Sequence, residues 1–505
     1  MPRPDLNRPR APLSVAVAGR KGAGAAALAL LLMLNGCTLS PDYQRPEVEM
    51  PAAYRFEPSA TAATANTAWW QQFGDPVLDE LIQTALANNY SVQIAAANVE
   101  QAIGIVTQTR SALYPQIGYG ASGEKLRSPD TGLTGAIPGI PNTQETYQAL
   151  LSASWELDLW GRIRSLSEAS QANMLATEEA RRGVILTLVS AVANSYITLR
   201  GLDEQLVISQ RTLETYGESA RLYQLQFKYG QTSLMTVAQT QSQYEMAATQ
   251  IPLIESQIAQ VENALSVLLG RNPGPIARGK PIAQLTMPPV PAGLPSELLE
   301  RRPDLVQAEQ QLVAANAQIG AAKAQYFPTI SLTGAYGSAS SSLSDLFKGS
   351  TRTWNYAGQI AGPIFTFGAV SGQVAQAEAA QRAALASYKL AVQSAFADVD
   401  DALVSNVKIG EQLAAQQRLV SALTDYERLA KLQYDGGYVP YSTVLQAQQT
   451  LFPAELSLAA LRASALSSST NIYKAMGGGW IDEADKLVGT APPAVEEADG
   501  LPPLF

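Results

Sequence analysis

The chain has 505 residues, no histidine, one cysteine and a formal charge of −9. Without histidine the commonest general base and metal ligand is missing, which removes most hydrolase and metalloenzyme chemistry. The acidic balance disfavours nucleic acid, whose phosphates need basic patches, and a single cysteine permits no disulfide within the chain.

Residues 1–36 read as a secretory signal. Arg3, Arg8, Arg10, Arg20 and Lys21 stand against Asp5 alone, and a small, apolar run then extends from Gly22 to Leu34. At about 13 residues this run is too short to cross a bilayer, which takes roughly 20. It closes on Leu34-Asn35-Gly36-Cys37, which resembles the bacterial lipobox. That resemblance implies that Cys37 is acylated and becomes the new N-terminus, and that Thr38 behind it directs the protein to the outer membrane. No later run reads as long and apolar enough for a transmembrane helix. Residues 37–88 are expected to form a lipidated segment, Pro- and Ala-rich at its start, followed by a first helix.

From residue 89 onward the sequence holds one unit twice. Residues 89–270 resemble 302–480, with a proline-rich linker at 271–301. Tyr114-Pro115 recurs as Phe327-Pro328; Trp160-Gly161 as Phe367-Gly368; Arg221-Leu222 as Arg428-Leu429; Gly230 as Gly437; Gly270 as Gly477. Each copy reads as helix, two strands, very long helix, turn, helix. In the strand expected at Tyr147–Leu159, the odd positions are apolar and the even ones polar except Leu150. Ile117, Tyr119 and Ala121 line one side of the first strand, Ile330, Leu332 and Tyr336 one side of the third, and Trp354, Tyr356 and Ile360 one side of the fourth. Taken by themselves, such strands favour a half-buried soluble sheet over a lipid-facing barrel wall.

The helices shift that balance. Gly161–Lys228 and Gly368–Asp435 contain no proline and are rich in Ala, Gln, Leu, Glu and Arg. Each would be about 100 Å long as a helix and would need partners alongside. Breaker-rich turns follow at Tyr229–Ser233 and Gly436–Pro440. Residues 481–505 read as a disordered acidic tail.

Several motifs have plain readings. Lys21-Gly22-Ala23-Gly24 and Gly477-Gly478-Gly479 lack the setting of a phosphate loop. Asp398, Asp400 and Asp401 read as a hydrated helix face rather than a cation site. Trp69-Trp70 reads as an anchor for the N-terminal segment. No catalytic constellation, cofactor site or metal site emerges, so no enzyme activity is expected.

Four motifs carry a family resemblance. Gly36-Cys37-Thr38-Leu39-Ser40-Pro41-Asp42-Tyr43-Gln44-Arg45-Pro46 is similar to the mature start of OprM-type efflux lipoproteins. Trp69-Trp70-Gln71-Gln72-Phe73-Gly74-Asp75-Pro76, Glu300-Arg301-Arg302-Pro303-Asp304-Leu305 and Tyr473-Lys474-Ala475-Met476-Gly477-Gly478-Gly479-Trp480 resemble their later motifs, in the same order. The family is the NodT-type outer-membrane factor group, related to TolC. The resemblance implies a mainly α protein with a β-barrel portion, in which three chains share a twelve-stranded barrel and a twelve-helix periplasmic tunnel. It implies a homotrimeric, passive efflux duct with no nucleic-acid partner, working with a periplasmic adaptor and an inner-membrane transporter of the RND type. A TolC-like duct for protein secretion and a structural coiled-coil lipoprotein are the rival readings. The resemblance places adaptor contacts at the hairpin tips, on Gly230, Thr232, Ser233, Gly437, Tyr438 and Val439. The repeat suggests a periplasmic gate built from Glu218, Arg221, Lys228, Asp425, Arg428 and Asp435, in which the opposite charges of Lys228 and Asp435 attract across neighbouring hairpins.

Overall fold

The computed structural model describes residues 39–49, 54, 56, 67–129, 142–290, 298–477 and 480–488. The signal and Cys37 lie outside the described residues, as do Gly478 and Gly479. In chain order, a 3₁₀ turn at Trp69–Phe73 precedes α1 (Pro76–Asn88) and α2 (Tyr90–Ser111). Then come β1 (Gln116–Arg127), β2 (Thr143–Leu157), α3 (Arg162–Lys228) and α4 (Leu234–Leu268). After one helical turn at Leu298–Arg301, the second copy follows as α5 (Pro303–Ala324), β3 (Thr329–Ser340), β4 (Arg352–Ala361), α6 (Ala369–Asp435) and α7 (Tyr441–Ala475). The short α8 (Ile481–Asp485) closes the described chain. The architecture is mainly α with one four-stranded sheet.

The helices of the duplication match in length. Helices α3 and α6 have 67 residues each, α4 and α7 have 35 each. Gln116 faces Ser154 in the first copy, and Thr329 faces Ala361 in the second, 213 and 207 residues further on.

Local chemistry sets the boundaries. The strand expected to run to Leu159 stops at Leu157. The Asp158 carboxylate there accepts from the amides of Ile163 (3.0 Å) and Arg164 (2.9 Å), and so caps the first turn of α3. At its other end β2 begins four residues earlier than expected, at Thr143, because Gln144, Glu145 and Thr146 are polar on both faces and hide the alternation. Helices α3 and α6 end alike. Gly230 and Gly437 adopt φ +71° and +78°, and the next residue's amide reaches back to Gln226 (2.8 Å) and Gln433 (2.9 Å). This left-handed closure favours glycine.

The chain divides into two compact units. One holds 108–168, 316–378 and the described residues up to 42; its centre is the sheet, with strands in the order β1-β2-β3-β4, all antiparallel. Its N-terminal stretch is tied down by Ser40, whose Oγ lies 2.9 Å from that of Ser165, and by Asn316, which donates to the Pro41 carbonyl at 2.6 Å.

The other unit holds 43–107, 169–315 and 379 onward. Its core gathers Trp69, Trp70, Phe73, Ile185, Val189, Val192, Tyr196, Tyr473 and Trp480, all buried. The Trp69 ring stacks on Tyr473 at 5.3 Å and meets Trp480 edge-on at 5.9 Å, so the tryptophan pair does anchor this segment. Asp75, fully buried, caps α1 through the Val77 amide (3.1 Å) and accepts from Tyr196 Oη (2.7 Å) and the Lys280 amide (3.0 Å).

Two expectations need correction. One stretch of α3 does reach the length and apolarity of a membrane span. Its apolarity serves the core instead, since Ile185, Leu188, Val189, Val192, Ala193 and Ile197 are buried there. Nor are residues 481–488 part of a disordered tail; the rest of that expected tail lies outside the described residues. Ile481, Ala484 and Val488 pack into the core, and Asp485 pairs with Arg181 at 2.7 Å.

Candidate functional site

The sheet segregates its residues by face with few exceptions. Registered neighbours across the four strands share a side. On one side the rows are Leu157, Ile330 and Ile360; then Trp155 and Leu332; then Ile117, Ala153 and Tyr356; then Tyr119, Leu151, Tyr336 and Trp354; then Ala121 and Ala149. Among the described residues nothing covers this apolar side: Tyr119 is 90% exposed, Tyr356 80% and Trp354 67%. Five rows spaced about 6.7 Å apart along the strands cover about 20 Å of height at a tilt of about 40°, close to the apolar band of an outer-membrane barrel. Beyond them the face turns charged, with Lys125 and Glu145 paired at 2.6 Å.

The opposite side carries Gly118, Gly120, Ser122, Gln148, Ser152, Ser154, Ser331, Thr333, Asn355 and Gln359. Leu150, the one break in the alternation, lies between Gly120 and Gly337. It therefore fills space that its two cross-strand neighbours leave empty. A soluble half-buried sheet would cover its apolar side. This one leaves the apolar side bare, so the strand pattern belongs to a lipid-facing wall.

Where strands meet helices, aromatic groups collect, as at a membrane interface. Trp160 donates its indole N–H to the Pro328 carbonyl (2.7 Å) and stacks on Phe327 at 4.7 Å; Trp155 donates to the Leu113 carbonyl at 2.9 Å. After β4, Ile364, Phe365 and Phe367, the last of which matches Trp160, are at least 84% exposed. Both outer strands, β1 and β4, also have an unpaired edge.

The hairpin tips form the second candidate surface. Ser233 caps α4 by accepting from the Thr236 amide at 3.3 Å. Gly230, Ser233, Gly437 and Tyr438 are exposed, and Thr232 and Val439 half-buried. Exposed Tyr229, Leu234 and Met235 add an apolar rim that the motif comparison did not single out. Just behind the tips, the Tyr441 ring lies 4.1 Å from Tyr223 and 5.2 Å from Tyr434. Burial, followed by the hydrogen bond with Tyr434, raises the Tyr223 phenol well above its usual range.

The six gate residues are only partly brought together. Asp425 and Arg428 pair at 3.3 Å within α6, both well exposed. Among the described residues Glu218, Arg221, Lys228 and Asp435 form no ion pair. Of the acidic trio on α6, Asp398 is engaged by Arg302 at 2.9 Å. Two linkages escaped the sequence reading. Arg45 and Tyr43 both bind Glu309, and the Asp75 cluster joins α1 to residues over 100 positions away. Separations of that size leave no local signal.

Comparison with known proteins agrees with this geometry. The family model described as "Outer membrane efflux protein" matches residues 81–271 and 294–478. The chain is 39% identical over 459 residues to the probable efflux pump outer membrane protein TtgC of Pseudomonas putida, covering 89% of this chain and 94% of that one. It is 36% identical over 455 residues to the cation efflux system protein CusC of Escherichia coli, covering 89% and 97%. Its fold superposes on the open state of the Neisseria gonorrhoeae MtrE outer membrane channel with a TM-score of 0.79 at 32% identity, covering 88% and 99%. An uncovered apolar sheet face, paired long helices in duplicate and these matches lead to one conclusion: the chain belongs to the outer membrane efflux protein family.

Proposed function

We propose that this protein is the outer-membrane channel of a tripartite efflux pump, a passive exit duct for drugs or other toxic small molecules. The observation that carries it is the bare apolar face of the sheet, which only lipid suits. Four strands cannot close a barrel, and unpaired edges are intolerable in a bilayer. Three copies supply twelve antiparallel strands, an allowed even number. The apolar side then meets lipid and the polar side lines the bore, while the long helices extend into the periplasm. An adaptor and an inner-membrane transporter complete the system, and the transporter supplies the energy. Purified protein added to a planar lipid bilayer should give discrete conductance steps; a trimer that never conducts defeats this reading.

Three finer assignments belong to the proposal. Cys37 is the lipid anchor. Cys37→Ala should lose the label from radioactive palmitate, and unchanged labelling in that variant removes the anchor. The tips dock the adaptor. Combined substitution of Thr232, Ser233, Tyr438 and Val439 should abolish crosslinking to the adaptor at normal trimer levels, and full pump activity in that variant rejects the docking role. Lys228 and Asp435 latch neighbouring tips, since neither forms an ion pair among the described residues. Asp425→Ala, Arg428→Ala and Asp435→Ala should raise resting conductance. Single exposed pairs contribute only about 0.2–1 kcal/mol, so the combined variant decides. If it conducts like the unmodified protein, these charges are ordinary solvated residues.

A further inference from the structure

The cores that hold α3, α6 and α7 occupy one side of each helix. On α3 it is the side of Ile185, Val189 and Val192, on α6 that of Val392, Val399 and Leu403, and on α7 that of Leu466, Ile472 and Tyr473. The exposed side of the same three helices encloses a cleft of about 700 Å³. This lies within the range of small-molecule sites, about 300–1,000 Å³. Thr187 of α3 forms one wall, and Asp398, Asp401 and Ser405 of α6 another. Ser464, Ser467, Asn471 and Lys474 of α7 line its length, and Arg302 joins them from just before α5. A duct needs an open bore, so α1, which packs on the core through Leu78 and Ile82, lies outside it. The cleft then opens inward, to the bore.

Its frame is fixed by buried polar groups. Ser468, 4% exposed, accepts from Asn406 Nδ2 at 2.8 Å, and Asn194 donates to Asn471 at 3.1 Å. Arg302, 8% exposed, donates to the Ala475 carbonyl at 3.0 Å and pairs with Asp304 (2.7 Å) and Asp398 (2.9 Å). Two charges in the cleft stay free, since Asp401 and Lys474 form no ion pair among the described residues. The duplication shows that the fold does not require these charges. In the first copy Asn89 stands where Arg302 does, and it donates to the carbonyl of Leu268, the counterpart of Ala475, at 2.8 Å. Ala191, Asn194 and Val267 occupy the places of Asp398, Asp401 and Lys474. The same joint between helices is thus made there without any charge.

We propose that this cleft is a weak binding site for small zwitterions, present three times in the bore. Asp401 takes the ammonium group of the solute, Lys474 its carboxylate, and the lining hydroxyls its polar edges. The inference rests on the trimeric duct proposed above and names a class of solute that pauses in it. Exposed charges hold a partner only weakly, and a conduit needs sites weak enough to release what they bind. Such a site gathers solute in the bore without plugging it.

Ampicillin and benzylpenicillin test it, because they share a carboxylate and differ by one amino group. In single-channel recording from purified trimers at neutral pH, ampicillin should interrupt the current about threefold longer than benzylpenicillin. Asp401→Asn should erase that difference. Lys474→Met should shorten the interruptions by both compounds about threefold. Both residues are exposed, so trimers of either variant should form at normal levels. Equal interruptions by the two compounds in the unmodified protein, or a difference that survives Asp401→Asn, overturns the site. An effect of Asp401→Asn with none of Lys474→Met overturns the zwitterion in favour of a simple cation. Saturation-transfer NMR on detergent-solubilised trimers reads binding without conductance. Transfer to ampicillin from trimers that never conduct defeats the duct and keeps the site. Conduction with neither transfer nor interruption overturns the site and keeps the duct.

Discussion

Leu151→Arg is expected to remove the protein from the outer membrane. Leu151 lies in the fourth of the five apolar rows, between Tyr119 on β1 and Tyr336 on β3, and it is 56% exposed, with no described residue over it. An arginine on the lipid side of a barrel near the bilayer midplane costs about 2–4 kcal/mol. Three copies multiply that cost in one assembly. Heat-resistant trimers should vanish from the outer-membrane fraction, judged by unheated gel electrophoresis. Ser152→Arg supplies the control, because Ser152 points to the other side of the same strand. It should assemble normally and alter only conductance. If both variants assemble equally well, the apolar side does not meet lipid.

The second large effect is expected from Trp480→Ala. Trp480 is fully buried and meets Trp69 at 5.9 Å and Trp70 at 5.6 Å, both edge-on. Truncating a buried tryptophan costs about 3–5 kcal/mol through lost contact and residual cavity. The thermal midpoint of the detergent-solubilised protein should fall by several degrees, read from tryptophan fluorescence. Because the residue is remote in kind from any conducting surface, the conductance of the surviving channels should stay the same. Trp480→Phe should recover part of the loss. A midpoint unchanged by Trp480→Ala shows that the closing segment contributes nothing to the core.

What the sequence discloses and what it hides follow from distance along the chain. Alternation is local, so Tyr119, Trp354 and Tyr356 could be put on one side of their strands before any pairing was known. The duplication is equally visible, because Gly230 and Gly437 repeat a backbone need that few other residues meet. The ends of β2 were misjudged for opposite reasons. Thr143–Thr146 lie past the apolar band, where alternation has no cause, and Asp158 looks like a strand residue until its carboxylate is seen capping α3. Leu150 breaks the pattern in sequence, and its place between Gly120 and Gly337 gives the exception a physical reason. The bonds from Arg211 to Glu455 and from Arg462 to Glu204 join residues over 240 positions apart. The tips were located from glycine and proline alone. Their apolar rim of Tyr229, Leu234 and Met235 was not, since exposed apolar residues beside a turn look in sequence like the ends of buried helices.

The side of the sheet away from lipid has a consequence for what the pump can discriminate. Many of its residues are short: Gly118, Gly120, Ser122, Ser152, Ser154, Ser331, Thr333 and Ala335 project little beyond the backbone, while Gln148, Leu150, Asn355 and Gln359 reach further. Among the described residues, a molecule passing them meets hydroxyl groups at most levels and no aromatic ring. Passage along the short stretches is limited more by girth and hydration than by specific recognition. Choice among cargoes must therefore be made before a molecule reaches the sheet, and one such exit can serve several pumps of different taste without any change to its wall.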